Sequence, residues 1–222
     1  MESIFFRRGL VMRLANGFTL IELMVVLAII GVIMSVVLTG QSTFNKTLIL
    51  QNTAYDIALT LRNAETYGLG SRAASAISNS GYGVHFGIGT PGFLTLFADI
   101  YPAPSLFSCH PTSDASAPDA QPGDCTYTEG QDQKVTEYAL GNGITVSDFC
   151  AFNGDWSCAH AQDGSLSSLD IVFARPNPDT FIRADGSSYM AACLVVSSLQ
   201  GGEKYIFVSS SGEIAANASS CP

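Results

Sequence analysis

The sequence predicts an α+β chain in which one long N-terminal helix, its first half embedded in lipid, packs on a mainly antiparallel β-sheet domain. Three observations carry this expectation. Residues 18–38 hold a single ionisable side chain, Glu22, in an otherwise uncharged and largely apolar run. Leu50, Ala54, Ile57, Ala58, Leu61 and Ala64 then recur along one stripe at helical period. Beyond Ser80, short runs rich in β-branched and aromatic residues alternate with Gly, Pro, Asn and Asp, the pattern of strands and turns.

The apolar run Phe18–Leu38 is long enough to span a bilayer as a helix. An acid at the centre of such a helix costs roughly 2.5–3.5 kcal/mol on insertion scales and less near an end, so Glu22 calls for a partner. Arg7, Arg8 and Arg13 stand before the run against one acid, Glu2, and the next basic residue is Lys46. By the positive-inside rule the N-terminus stays cytoplasmic and everything beyond Leu38 is exported. A secretory signal peptide has a shorter apolar core closed by small residues. Val36-Val37-Leu38-Thr39-Gly40 offers no such site, so the run is expected to stay with the mature chain.

Gly17-Phe18-Thr19-Leu20-Ile21-Glu22, directly ahead of this stretch, resembles the processing site of type IV prepilins and type II secretion pseudopilins. The resemblance implies that a membrane aspartyl peptidase cuts between Gly17 and Phe18 and methylates the new amine of Phe18. It implies that Glu22 then pairs with the N-terminal amine of a neighbouring subunit as a filament assembles. The implied partners are other pilin or pseudopilin subunits, the prepilin peptidase, the inner-membrane assembly platform and the lipid bilayer. The implied function is that of a structural subunit, a minor pilin or pseudopilin, and not an enzyme. The implied location is a single-pass inner-membrane protein with an exported C-terminal domain, becoming a periplasmic or extracellular filament. Many type IV pilins carry a proline in the membrane half of the helix; here the first proline is Pro91, and Gly31 and Gly40 are the only helix-weakening residues.

The expected organisation is a leader at 1–17, a transmembrane half-helix at 18–38, an exported half-helix at 39–70 and a β-rich, pilin-like domain at 71–222. A single helix of roughly 50 residues would be about 75 Å long at 1.5 Å per residue. Gly68 and Gly70 mark its end, and Ser71–Ser80 reads as a small, polar linker. Tyr82–Phe86 alternates with Tyr82, Val84 and Phe86 on one face, and Phe93–Phe97 follows after a glycine-rich turn as a hairpin partner. Further strands are expected at Lys134–Leu140, Ile144–Phe149, Leu169–Ala174, Met190–Ser197 and Tyr205–Val208, with Gly141-Asn142-Gly143 a turn between two of them. Strand order and the ending Phe97-Ala98-Asp99 resemble the β-rich domain of H-type pseudopilins and related minor pilins. The stretch Ser108–Cys125 is a polar excursion without a core of its own.

Composition excludes some functions. The full chain has a net charge of −9; three of its ten basic residues and one of its 19 acids leave with the leader, so the mature chain stands at −11. Non-specific nucleic-acid binding depends on Lys and Arg neutralising phosphates, and no nucleic acid is expected as a partner. Cys109, Cys125, Cys150, Cys158, Cys193 and Cys221 all lie in the exported part, where an even count reads as disulfides. Six cysteines allow 15 pairings; proximity favours Cys109–Cys125, Cys150–Cys158 and Cys193–Cys221. No metal or other cofactor is expected, because Cys150 and Cys158 lack the short spacing of structural zinc sites. Asp114, Asp119, Asp124, Glu129 and Asp132 cluster loosely as either a solvated loop or a Ca²⁺ site, without a twelve-residue Ca²⁺ loop pattern. No hydrolase, metalloprotease or nucleotide-binding motif is present. His85, opposite the apolar face of its strand, reads as solvent-facing, and His110 and His160 as polar loop residues. The alternative function is a filament-displayed adhesin or substrate-binding module, its contacts carried by the loops between Ser108 and Cys158.

Overall fold

The computed structural model describes residues 17–70, 73–74, 77, 79–104, 121–160, 166–175, 179–218 and 220–221. Residues 1–16 of the expected leader, much of the Ser71–Ser80 linker, and Cys109, His110, Asp114 and Asp119 of the polar excursion lie outside the described residues. The chain falls into two compact units, Met1–Asn45 and Lys46–Pro222, so the boundary runs through the middle of helix α1 (Leu20–Leu69, 50 residues).

In the first unit, Leu20–Leu38 is apolar throughout apart from Glu22 and Ser35, and every side chain in it is exposed. Its 19 residues give about 28 Å of helix, close to the thickness of a bilayer hydrocarbon core. A helix apolar on all sides is the kind of surface that a lipid-facing segment presents.

Among the described residues, the second unit holds the rest of α1 and eleven strands. One sheet runs β3 (Gln133–Ala139), β2 (Phe93–Asp99), β1 (Gly81–Gly87), β6 (Ser168–Phe173), β7 (Thr180–Ala184), β8 (Ser187–Tyr189). The other runs β11 (Ile214–Ala218), β10 (Glu203–Ser209), β9 (Ala191–Ser198), β4 (Ile144–Asn153), β5 (Asp155–Cys158). All of these pairings are antiparallel. The α+β architecture, a long helix on antiparallel sheets, is the one expected. Gly141, Asn142 and Gly143 all have positive φ, 66°, 52° and 68°, and this left-handed run carries the chain from β3 in one sheet to β4 in the other.

Leu50, Ala54, Ile57, Leu61 and Ala64 are buried in a core shared with both sheets, where Tyr82, Phe86, Leu96, Ile171, Phe173, Leu194 and Ile206 meet them. The stripe is built of small and branched residues at helical spacing, so the sheets approach closely. A close approach is made at Gly68, where an added Cβ would lie 2.1 Å from the carbonyl oxygen of Phe173. At the other end of this half-helix, Leu50 packs beside Gly202 of the β9–β10 turn.

Three expectations need correction. Ile144–Phe149 is longer than predicted: it continues to Asn153 and turns at Gly154 into β5, which was not expected. β7, β8 and β11 were also not expected; they are short and are held by the neighbours they pair with. His85, expected to face solvent, is only 21% exposed. A second layer covers the middle of the outer face of the six-stranded sheet, where Phe97, Cys125 and Val172 form a small separate core flanked by Tyr127 and Phe181. His85 lies under that layer, its ring 5.0 Å from that of Tyr127.

Candidate functional site

Gly17, Phe18 and Thr19 precede the first helical residue, Leu20, and Phe18 is 88% exposed. The helix starts where it does because Thr19 and Glu22 close a reciprocal capping box. Thr19 donates from its backbone amide and its hydroxyl to Glu22 Oε2, at 2.9 and 2.8 Å. The Glu22 amide returns a bond to Thr19 Oγ1 at 3.3 Å, and Leu23 N donates to Thr19 O at 3.2 Å. Two of the donors that a helix start leaves unpaired, the amides of Thr19 and Glu22, are thereby satisfied. Both side-chain bonds end on Oε2, so among the described residues Oε1 is the oxygen left for a donor from outside the box. The sequence reading gave Thr19 no role of its own, although a Thr three residues ahead of a Glu before an apolar run is the signal of such a box.

No heavy atom lies within 4 Å of where a Cβ at Gly17 would sit. Among the described residues, no contact at this position demands glycine. Every atom of the capping box lies on the C-terminal side of the Gly17–Phe18 bond. Cutting that bond would leave the box intact and free an amine one residue ahead of it.

Of the expected disulfide cysteines, Cys150 is bonded to Cys158, directly across the β4–β5 ladder. Cys193, fully buried in β9, is bonded to Cys221 with Cα atoms 5.7 Å apart. Cys125 is disulfide-bonded too, while its expected partner Cys109 lies outside the described residues.

The acids near residue 130 serve as anchors for backbone. Asp132 accepts the amides of Ile100, Tyr101 and Thr128 at 2.9, 3.0 and 2.7 Å. Asp99, wholly buried, accepts the amide of Cys125 at 2.8 Å and leaves Oδ1 without a partner. Asp170, also wholly buried, bonds His85 Nδ1 at 2.8 Å. Residues 121–132 are thus strapped onto the outer face of the sheet by carboxyl groups. Burial pushes Asp99 well above the usual carboxylate range, and the neighbouring Asp132 and Asp124 add to the shift. Burial raises Asp170 and Asp132 as well, against the bonds each accepts. Among the described residues these acids do not bring three ligand atoms together; the group that does is Asp148, Cys150 and Cys158.

Residues 12–38 match a family model described as the prokaryotic N-terminal methylation motif. No curated protein and no solved structure matches the chain.

Proposed function

We propose that this chain, which carries over residues 12–38 the hallmark motif of type IV pilins and pseudopilins, is a minor pilin or pseudopilin. The motif implies a structural subunit that assembles with other pilins after processing by a prepilin peptidase. On this reading residues 1–17 are the leader, 18–38 the membrane-spanning half-helix, 39–70 its exported continuation and 71–222 the displayed β-rich domain. The peptidase cuts after Gly17 and methylates Phe18, and the helix enters a filament of a type IV pilus or a type II secretion machine through the inner-membrane assembly platform.

The observation that carries this reading is a carboxylate held in place at the start of a helix that is otherwise apolar on every face. The capping box fixes the Glu22 carboxylate with two bonds on Oε2. Burying an ion without a charged partner in lipid is costly. The freed amine of a second subunit supplies the opposite charge, and the cost of leaving Glu22 unpaired becomes a driving force for lateral packing. Freedom from contact at Gly17 fits a residue selected for an enzyme's cleft rather than for the fold.

Mass spectrometry of the chain from cells with active peptidase tests the processing: the N-terminal residue should be Phe18 carrying one methyl group. An intact leader in those cells would overturn the proposal. Glu22→Ala should leave the protein inserted in the membrane but depleted from sheared filaments; normal incorporation would remove the pairing role from Glu22.

A further inference from the structure

The β4–β5 hairpin carries four side chains whose chemistry the filament role does not use. Cys150 pairs with Cys158 across the ladder, so on the same face the residue two before Cys150 stands opposite the residue two after Cys158. Those residues are Asp148 and His160. The pairing continues past the end of β5, since Ala159 N donates to Phe149 O at 2.9 Å. His160 N then donates to Asp148 Oδ1 at 3.1 Å, and His160 Nδ1 stands 3.5 Å from the same oxygen. An Asp148 carboxylate oxygen and the two sulfurs all lie within 4.8 Å of one another. Asp148, Cys150 and Cys158 thus converge, and His160, beside Asp148 at the edge of the group, is a fourth metal-ligating side chain that a ring rotation would bring in.

We propose that in the thiol form of the chain this group binds one zinc-class divalent ion through Asp148, Cys150, Cys158 and His160. Two thiolates, an imidazole and a carboxylate make up a four-coordinate tetrahedral set with bonds of about 2.0–2.3 Å. Sulfur and nitrogen donors select zinc over calcium or magnesium, which prefer oxygen. β4 is held on its other side by β9, where Cys150 pairs with Cys193, so the ladder keeps the two sulfurs opposed when the bond between them is opened. The side chains of Asp148 and His160 are 26% and 56% exposed, which gives an ion a way in. Metal and disulfide exclude each other at this site. When a second protein's disulfide oxidises the hairpin by thiol–disulfide exchange, the two thiolates pass two electrons to it. The Cys150–Cys158 bond forms, the partner leaves as a dithiol or dithiolate, and the ion departs into water. A bound ion therefore guards the pair against oxidation until an exchange partner displaces it. This inference rests on the hairpin alone and stands apart from the filament reading.

The test uses the full chain in detergent, reduced with a phosphine, stripped of metal by a chelator and titrated with Co²⁺ and then Zn²⁺. One Co²⁺ per chain should give the charge-transfer and ligand-field bands of tetrahedral thiolate coordination, and Zn²⁺ should displace it. His160→Ala and Asp148→Ala should each weaken binding by about tenfold or more, a loss that removal of even an outer-shell partner produces. Cys150→Ser with Cys158→Ser should abolish the bands although the other four cysteines remain. No bands, or bands equal in the His160→Ala, Asp148→Ala or double-serine chains, would overturn the proposal. A readout that needs no variant is the alkylation rate of each cysteine in the reduced chain, mapped by peptide. Zn²⁺ should slow Cys150 and Cys158 by about tenfold or more and leave Cys125, Cys193 and Cys221 unchanged; equal protection at all of them, or none, refutes the site.

Discussion

At Gly68 the helix lies close against the six-stranded sheet, and Gly68→Ala should be among the more damaging single-methyl additions in this chain. An alanine Cβ there would lie 2.1 Å from the carbonyl oxygen of Phe173, 2.7 Å from its carbonyl carbon and 3.3 Å from its Cβ. An ordinary carbon–oxygen contact is about 3.3 Å or more. The last turn of α1 or the end of β6 must therefore retreat by roughly 1 Å. The obstacle is backbone, not the tip of a flexible side chain. Phe173 is wholly buried and pairs with both Tyr82 and Thr180, so β6 has no freedom to give way. Overpacking of this kind costs about 1–3 kcal/mol, sometimes more. Against it stands the gain of up to about 1 kcal/mol from replacing Gly by Ala in a helix, less in a last turn. The net expectation is a loss of about 2 kcal/mol. For a domain of this size that is a fall in melting temperature of about 4–8 °C, read by thermal unfolding of the detergent-solubilised chain. Gly89→Ala, with no heavy atom within 4 Å of the new methyl, is the control and should stay within about 0.5 kcal/mol. A Gly68→Ala chain that melts at or above the wild-type temperature would show that helix propensity outweighs the contact and would refute the packing argument.

Asp99→Asn should flatten the pH dependence of stability. The folded carboxyl holds its proton above the pH at which the unfolded one releases it. Stability from this group is thus full below the unfolded value and is lost as pH rises through the folded one. Urea unfolding at mildly acid and mildly alkaline pH should show the variant gaining on the wild type as pH rises; a difference that does not move with pH counts against the buried proton. Replacing Cys193 and Cys221 by Ser opens an interval of 28 residues and should cost about 3–4 kcal/mol by the chain-entropy relation, seen as a shifted denaturation midpoint with protease cutting near residue 214. Thr19→Val keeps the shape and removes the hydroxyl of the capping box, an N-cap loss of about 1 kcal/mol that should show as fraying of the first turn in amide exchange. Unchanged exchange at Ile21 and Glu22 would deny the box a structural role.

How much of this was legible in the sequence depended on which neighbours decided the outcome. The helix was legible because its first half is apolar throughout and its second half carries one buried stripe, each a pattern over many residues, and a period of 3.6 survives single exceptions. β1, β2, β6, β9 and β10 were legible for the same reason. Asp155–Cys158, Ser187–Tyr189 and Ile214–Ala218 were not, because runs such as Asp155-Trp156-Ser157-Cys158 have little apolar alternation and become strands by pairing with a stronger neighbour. The N-terminal motif was read as one for processing, while its Thr19–Glu22 pair was equally legible as a capping box. At the hairpin, counting residues along the chain argued against a metal, whereas the ladder brings residues 148, 150, 158 and 160 together by counting across it.

The outer layer of the six-stranded sheet is the instructive failure. Alternation assumes one buried face, and on that assumption His85 points to water and Asp170 is a polar interruption in Leu169-Asp170-Ile171-Val172-Phe173. In the fold β2 and β6 are buried on both faces, because residues 121–132 lie over the outer one. That strap has almost no apolar pattern of its own. It is held by Cys125 and Tyr127, and by three acids that accept its amides, its neighbours' amides or the His85 ring. A segment that docks through hydrogen bonds to buried carboxyls reads in sequence as a solvated acidic loop, since the residues that bury it lie in other strands. A wholly buried Asp inside an apolar strand is better taken as evidence that something covers the strand than as evidence that the strand is half exposed. Burying a carboxyl is costly unless it is protonated or hydrogen-bonded, and a covering segment supplies the donors. Applied to Phe97-Ala98-Asp99 as well as Leu169–Phe173, that rule places a second layer over both strands, and the amide of Cys125 on Asp99 is the contact that satisfies it.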